Sequence, residues 1–321
     1  MRSLGSWLVA AVCLAAAQFS AAQTFPTRPM RVIVPFSAGS ASDLLSRMIG
    51  PKLIESWGQQ VIVENRPSAG GTVAGGIVAG SNPDGHTLML TSSAFAGSAA
   101  LYDKLPYDSV KDFSGVTQVA STSLLLVVAQ GIGVKSAKEL IALAKQKPGS
   151  VTYGSSGVGS GTHYGGELFR LAAGIDVVHI PYKGVPEALN DVIGGRIQFV
   201  MTPVLAAAPM VKAGRLIAVG VTAKERLASL PEVPTLAEAA LPGFEYDGWF
   251  GVLVPSRTPR PVVNKLSGEI GRILRTKEVS ERIDSTGALA KPSTPEEFDK
   301  LVRSEIVMRT KVFKAAGTKV Q

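Results

Sequence analysis

Two runs of small and hydroxyl-bearing residues hold most of the chemistry this sequence offers. The first is Pro35-Phe36-Ser37-Ala38-Gly39-Ser40-Ala41-Ser42-Asp43, and the second is Tyr153-Gly154-Ser155-Ser156-Gly157-Val158-Gly159-Ser160-Gly161-Thr162-His163. Each stands between an apolar run and a stretch with helical spacing. Side chains this small let a backbone approach a ligand, and a helix that follows turns its first unpaired N–H groups toward the same spot. A helix N-terminus carries about half a positive charge, so such a site suits an anion. Nucleophilic chemistry is the competing reading, with Ser155, Ser156 or Ser160 attacking and His163 as base. Neither an orienting acid nor an oxyanion motif accompanies them. Serines ahead of a helix serve as caps and hydrogen-bond donors, with His163 in the first turn, and they are read so here. Asp43 is read as a cap that shapes its loop, because a carboxylate facing an anion would repel it.

Other reactive patterns are missing. His86, His163 and His179 lack the spacing of metal ligands on one helix. No G-x-S-x-G elbow and no G-x-x-x-x-G-K-[ST] phosphate loop occurs. Gly157–Gly161 imitates a dinucleotide fingerprint only in part, and Asp176 alone does not complete it. Neither a metal nor a cofactor is expected. Lys183, in His179-Ile180-Pro181-Tyr182-Lys183-Gly184, is a cation at a strand-to-helix turn, either solvated or beside the site. Trp249 is either core or a pocket wall, and Trp57 is packing.

The elements that must position these residues alternate. Arg31–Val34, Val61–Glu64 and Thr87–Leu90 read as strands, with a helix opening at Asp43 whose inner face is Leu44, Leu45, Met48, Ile49 and Leu53. Pro51 within it predicts a kink or a break. This β-α-β-α-β order argues for a mostly parallel sheet covered on both faces, whose ligands bind at the carboxyl ends of strands. Ser37–Asp43 and Thr91-Ser92-Ser93 lie at such ends. A second unit follows: a strand Leu124–Val128, a capping box at Ser136 and Glu139 opening a helix to Lys147, and a helix from about Thr162 to Ala173. Strands at Val177–Ile180, Ile197–Val200 and Leu216–Val221 complete it, and the Pro-rich passage Leu230–Gly243 is too broken for a long element. The fold class is α/β, with two lobes: 24–125 with 249–321, and 126–248. The chain crosses between them near Ser121–Val127 and Tyr246–Val252, with the C-terminal helices on lobe one. Such a hinge closes over a ligand by bending at a few residues.

Composition bounds the rest. The 321 residues are 45% hydrophobic, with 34 Gly and 20 Pro, an ordinary globular content. Basic residues are scattered, the net charge is +8 and aromatics are only 6%, so no nucleic-acid partner is expected. Arg2, the apolar stretch Trp7–Phe19 and Ser20-Ala21-Ala22 read as an export signal over residues 1–22, cleaved before Gln23. Cys13, the one cysteine, leaves with that signal, so no disulfide is expected. Exported and cysteine-free suits a bacterial periplasm.

Five blocks resemble a known family: Pro35–Arg47, Glu64–Gly71, Tyr153–Phe169, His179–Gly195 and Leu230–Thr235. Over the whole mature chain the sequence is similar to the Bug-type periplasmic solute-binding proteins of tripartite tricarboxylate transporters. The resemblance implies a two-lobed Venus-flytrap fold without enzymatic activity. It implies a monomer that takes a small carboxylate to a membrane permease and holds it by backbone N–H groups, hydroxyls and water. Carried over by position, the binding residues are Ser37, Gly39, Ser40 and Ser42; Ser155, Ser156, Gly159, Ser160 and His163; and Thr91 and Ser92 on the floor of lobe one. Three departures stand out. Gly39-Ser40 replaces a Gly-Gly pair, Glu187 replaces a proline, and Met201-Thr202-Pro203 lacks an acidic or amide residue, which argues against an amino-acid ligand. Delivery to a permease and presentation to a signalling partner both fit this sequence. An exported carboxylic-ester hydrolase is the third reading, disfavoured by the missing triad and elbow.

Overall fold

The computed structural model describes residues 25–68, 71–285 and 288–318, so the expected export signal and Cys13 lie outside the described residues. In the first strand, β1 (Met30–Val34), Val32 and Val34 face one core and Ile33 faces another. A strand buried on both faces needs apolar residues at every position, which is why the runs in this sequence are continuous. β1 lies parallel to both β2 (Val61–Asn65) and β3 (Thr87–Ser92). The connections are α1 (Ala41–Trp57) and α2 (Thr72–Ala79), the second built from the Gly-rich stretch. α1 buries Leu45, Ile49 and Leu53, with Leu44 and Met48 half-buried beside them. It is not broken at Pro51, because Ile49 and Leu53 seat both flanks of the proline in the core while a single intrahelical N–H is lost.

The strand predicted at Leu124–Val128 is the second part of a longer one, β4 (Phe113–Ala129). Its first part carries Thr117, Gln118, Thr122 and Ser123, polar yet buried, which hides it from a hydrophobicity pattern. β4 belongs to two sheets. Phe113–Ser123 pairs antiparallel with β9 (Asp247–Pro255), which also pairs with β3, and Ala120–Thr122 pairs with β10 (Ala288–Ala290). From Leu124 onward β4 pairs with β7 (Phe199–Pro203) and β8 (Leu216–Val221). β5 (Thr152–Ser155) lies parallel to β7 and to β6 (Val178–Pro181). Parallel pairing holds in the outer strands of each half, and β4 and β9 join the halves antiparallel.

The result is a two-lobed α/β molecule with helices on both faces of each sheet. The α-helices that follow before β9 are α3 (Ala94–Leu101), α4 (Ala137–Gln146), α5 (Gly161–Ala173), α6 (Val185–Ile193), α7 (Val204–Lys212) and the short α8 (Leu236–Ala239). Ser136 caps α4 by accepting from the Glu139 N–H at 3.2 Å, but the Glu139 side chain accepts from the Lys135 N–H rather than from Ser136, so the expected box is shifted by one residue. The C-terminal helices are α9 (Arg260–Leu274), α10 (Lys277–Asp284) and α11 (Pro295–Ala315). α9 and α10 pack on the first lobe through Leu266, Ile270, Val279 and Ile283. α11 differs from the expectation. Its 21 residues span about 30 Å, enough to put Phe298 and Val302 in the first-lobe core and Phe313 in the second-lobe core with Tyr164 and Phe169.

Candidate functional site

The two loops fold alike. Gly39 has φ +80°, a left-handed value that glycine adopts without strain; its N–H donates to Asp43 Oδ2 at 2.9 Å, and Ser40 caps α1 by accepting from the Asp43 N–H at 3.4 Å. Gly159 also has φ +80°, its N–H donates to His163 Nδ1 at 3.0 Å, and Ser160 caps α5 by accepting from the His163 N–H at 3.1 Å. An aspartate on one side and a histidine on the other thus do one job, holding a glycine N–H so that the helix end keeps its place.

Electrostatics agree with those roles. Burial pushes the Asp43 carboxyl up, but hydrogen bonds from Arg47, the Gly39 N–H and Asn65 bring it below the ordinary value. His163 is pushed down to about 2 by burial and then by its neighbour His179, so its ring is neutral and Nδ1 is free to accept. The ring stacks on His179 at 4.0 Å and on Phe313 at 5.2 Å. Burial likewise lowers His179 to about 4.

The helix ends meet at a cleft. Ala41 and Ser42 of α1, and Gly161 and Thr162 of α5, bring first-turn N–H groups to it. Hydroxyls of Ser40, Ser42, Ser92, Ser93, Thr122, Ser156, Thr162 and Tyr246 line it, together with the Trp249 indole and the apolar Phe36, Leu124, Val185, Pro203 and Phe250. No Lys, Arg, His, Asp or Glu is among these lining residues. Ser42 Oγ and Trp249 Nε1, on two of the lining residues, are buried without a hydrogen-bond partner.

Of the residues singled out in the sequence, Ser40, Ser42, Ser92, Ser156 and Trp249 line this cleft. Trp249 is both alternatives at once, a wall of the cleft and a core residue edge-on to Phe298. Gly39, Gly159, Ser160 and His163 stand behind the wall and fix the loops. Ser37 bonds across the lobes instead, its Oγ donating to Glu187 Oε1 of α6 at 2.5 Å. Thr91 is buried in β3. Ser155 is 0% exposed, bonded to His179 Nε2 at 2.6 Å and to the Gly157 backbone, and it does not line the cleft. Lys183 is exposed at its turn and outside the cleft, where its ammonium stays hydrated. Ser93, Thr122, Thr162 and Tyr246 were not selected from sequence. The usable signals were local for Ser93, beside Ser92 at a strand end, and for Thr162, one turn into the second loop. Thr122 and Tyr246 lie in the two stretches where the sequence places the crossings between lobes, but nothing local marks either side chain as a cleft residue.

Residues 45–317 match the family model described as the tripartite tricarboxylate transporter family receptor. The chain belongs to this family. A relative within the receptor family is BugT of Bordetella pertussis, 33% identical over 94% of this chain and 93% of that protein. Among solved structures, R. palustris Rpa4515 with adipate is 32% identical over 91% of this chain and 98% of its own, at a TM-score of 0.88. MatC from Rhodopseudomonas palustris with bound malate is 31% identical over 90% and 99%, at a TM-score of 0.85. In this receptor, two helix N-termini and a ring of hydroxyls occupy the place where the lobes face each other.

Proposed function

We propose that this protein is a periplasmic receptor, without catalytic activity, that closes on a small dicarboxylate and hands it to the permease of a tripartite transporter. One observation supports this above the others: a cleft lined by two helix N-termini and eight hydroxyl-bearing side chains, with no charged side chain in its wall. Two N-termini together offer about one positive charge, without the dehydration that an arginine or lysine would require. A carboxylate brings only acceptors, and the wall offers donors. The relatives solved with adipate and malate favour the same ligand class. An α-amino acid is a poor fit, since the wall has no carboxylate for its ammonium. The moving bodies are taken as 24–125 with 249–321, and 126–248, the protein acting as a monomer.

Thermal-shift scans against adipate, malate, citrate, benzoate, terephthalate and glutamate, followed by calorimetric titration, test this. A ligand at a hundredfold over its Kd adds about 2.7 kcal/mol to the folded state. We expect one or two dicarboxylates to raise Tm by several degrees and glutamate to leave it unmoved. No shift with any of them, in protein first unfolded, dialysed and refolded to strip bound solutes, sinks the reading.

A further inference from the structure

Behind the cleft lies a buried cation. Arg309, midway along α11, is 0% exposed. Its Nε donates to Glu305 Oε2 at 2.6 Å, its Nη2 donates to Tyr246 Oη at 2.7 Å, and its guanidinium lies 4.1 Å from the centre of the Tyr164 ring. An ion pair alone is a poor reason to bury both charges, because desolvation offsets the attraction. Burial pulls the Arg309 pKa down, but Tyr246 and Glu305 more than compensate and hold it above the ordinary value.

The contact with Tyr246 gives this charge an outlet. Tyr246 Oη lies 3.3 Å from Ser93 Oγ, and both residues line the cleft. A guanidinium has no lone pair to offer, so in the Arg309–Tyr246 bond the phenol oxygen must accept. That bond uses one lone pair of the phenol oxygen, and giving the phenol hydrogen to Ser93 Oγ turns the hydroxyl hydrogen of Ser93 to the cleft. This chain of three groups runs from Arg309 outward to the cleft. It ends beside α5, where a Cβ on Gly161 would fall 2.7 Å from Ser93 Oγ, so donors from both lobes meet at one point.

We propose that Arg309 is a specificity-determining positioning residue: through Tyr246 and Ser93 it biases a hydrogen-bond chain so that Ser93 presents its hydroxyl hydrogen to the cleft and favours a carboxylate over an amide or ammonium. The proposal rests on the carboxylate-receptor reading and adds the residue that sets its selectivity. A ligand N–H placed against Ser93 must share the Ser93 oxygen with the phenol hydrogen or reverse the chain and turn that hydrogen away, and either arrangement is weaker than a carboxylate accepting from Ser93.

The test is calorimetric titration of the tightest-binding dicarboxylate from the panel above and of its monoamide. Tyr246→Phe should weaken the dicarboxylate by about tenfold, the loss of one charge-assisted bond, and weaken the monoamide less, so the preference between them falls. Arg309→Met made with Glu305→Met removes the buried pair as a unit and should lower the preference similarly in the wild-type background and not further in Tyr246→Phe. An unchanged preference in Tyr246→Phe, or a full additional loss on removing the pair in that background, overturns the proposal. Should the pairless chain fail to fold, Ser93→Ala replaces it in the same cycle: losses that simply add with those of Tyr246→Phe overturn the chain. A wild-type protein that binds none of the panel overturns the receptor reading along with it, whereas unchanged preferences in a protein that binds overturn this proposal alone.

Discussion

On the proposed reading, Ser42 is a neutral side chain that takes the part an arginine takes in other anion sites. Its hydroxyl lines the cleft, is buried and has no partner in the protein. Ser42→Ala removes a donor and disturbs no internal bond, so the dicarboxylate Kd should rise about tenfold while Tm without ligand stays where it was. An equal drop in Tm would mean the hydroxyl is structural. His163 makes the opposite case, a titratable group kept out of the chemistry. Its folded pKa is about 2 and that of His179 about 4, against about 6.5 in an unfolded chain. Between these values the unfolded state binds protons that the folded state refuses, so stability falls as pH falls. The loss begins near pH 6.5, involves both rings down to about 4, and involves His163 alone from there to about 2. His163→Asn, which keeps an acceptor near Nδ1, should give a shallower fall of Tm between pH 7 and 5; an identical slope would show that the folded ring takes up its proton as readily as the unfolded one.

Elements that depend on local rules were legible. The cap at Ser160 follows from a side chain that accepts a main-chain N–H three residues on, and the left-handed turns sit at glycines; in the first loop the helix opens two residues before Asp43, with Ser40 as its cap and Asp43 in its first turn. Each is a statement about neighbours in sequence. Ser160→Ala should therefore cost about 1 kcal/mol, and it should also weaken binding, since the N–H groups at Gly161 and Thr162 lose their anchor. Tm and Kd measured on the same preparation separate the two effects. What escaped the sequence is what distant packing decides. Thr117, Gln118 and Thr122 look like loop residues and are interior strand residues, because β9 covers them. Arg309 stands in a helix rich in Lys, Arg and Glu, where any one charge reads as solvated, and only the aromatic rings of Tyr164 and Tyr246 from other elements bury it. Pro51 was overruled by the core on either side of it.

For the whole molecule, the lobes meet closely. Ser37 bonds Glu187 across the gap, and a Cβ placed on Gly97 of α3 would collide with the carbonyl oxygen of Gly159 in the second loop. Gly97 is helical and carries no positive φ, so its importance lies in this one contact. Gly97→Ala should leave each lobe folded and hold the two apart. The expected result is a loss of affinity of about a hundredfold or more, since each ångström of separation breaks donors on one side, with a larger radius of gyration by X-ray scattering in the presence of ligand. A variant that binds normally would show that closure does not bring these backbones together.

The 17-residue strand β4 has a consequence for how the protein comes apart. One continuous strand serves both sheets, and α11 adds a second tie by inserting Phe298 and Phe313 into separate cores. Neither half can melt without stripping hydrogen bonds and apolar contacts from the other, so the molecule is a single cooperative folding unit despite its two bodies. Differential scanning calorimetry should record one endotherm whose van't Hoff and calorimetric enthalpies agree, displaced as a whole when ligand is added. The continuity that carries closure from one body to the other also denies either of them an independent fate.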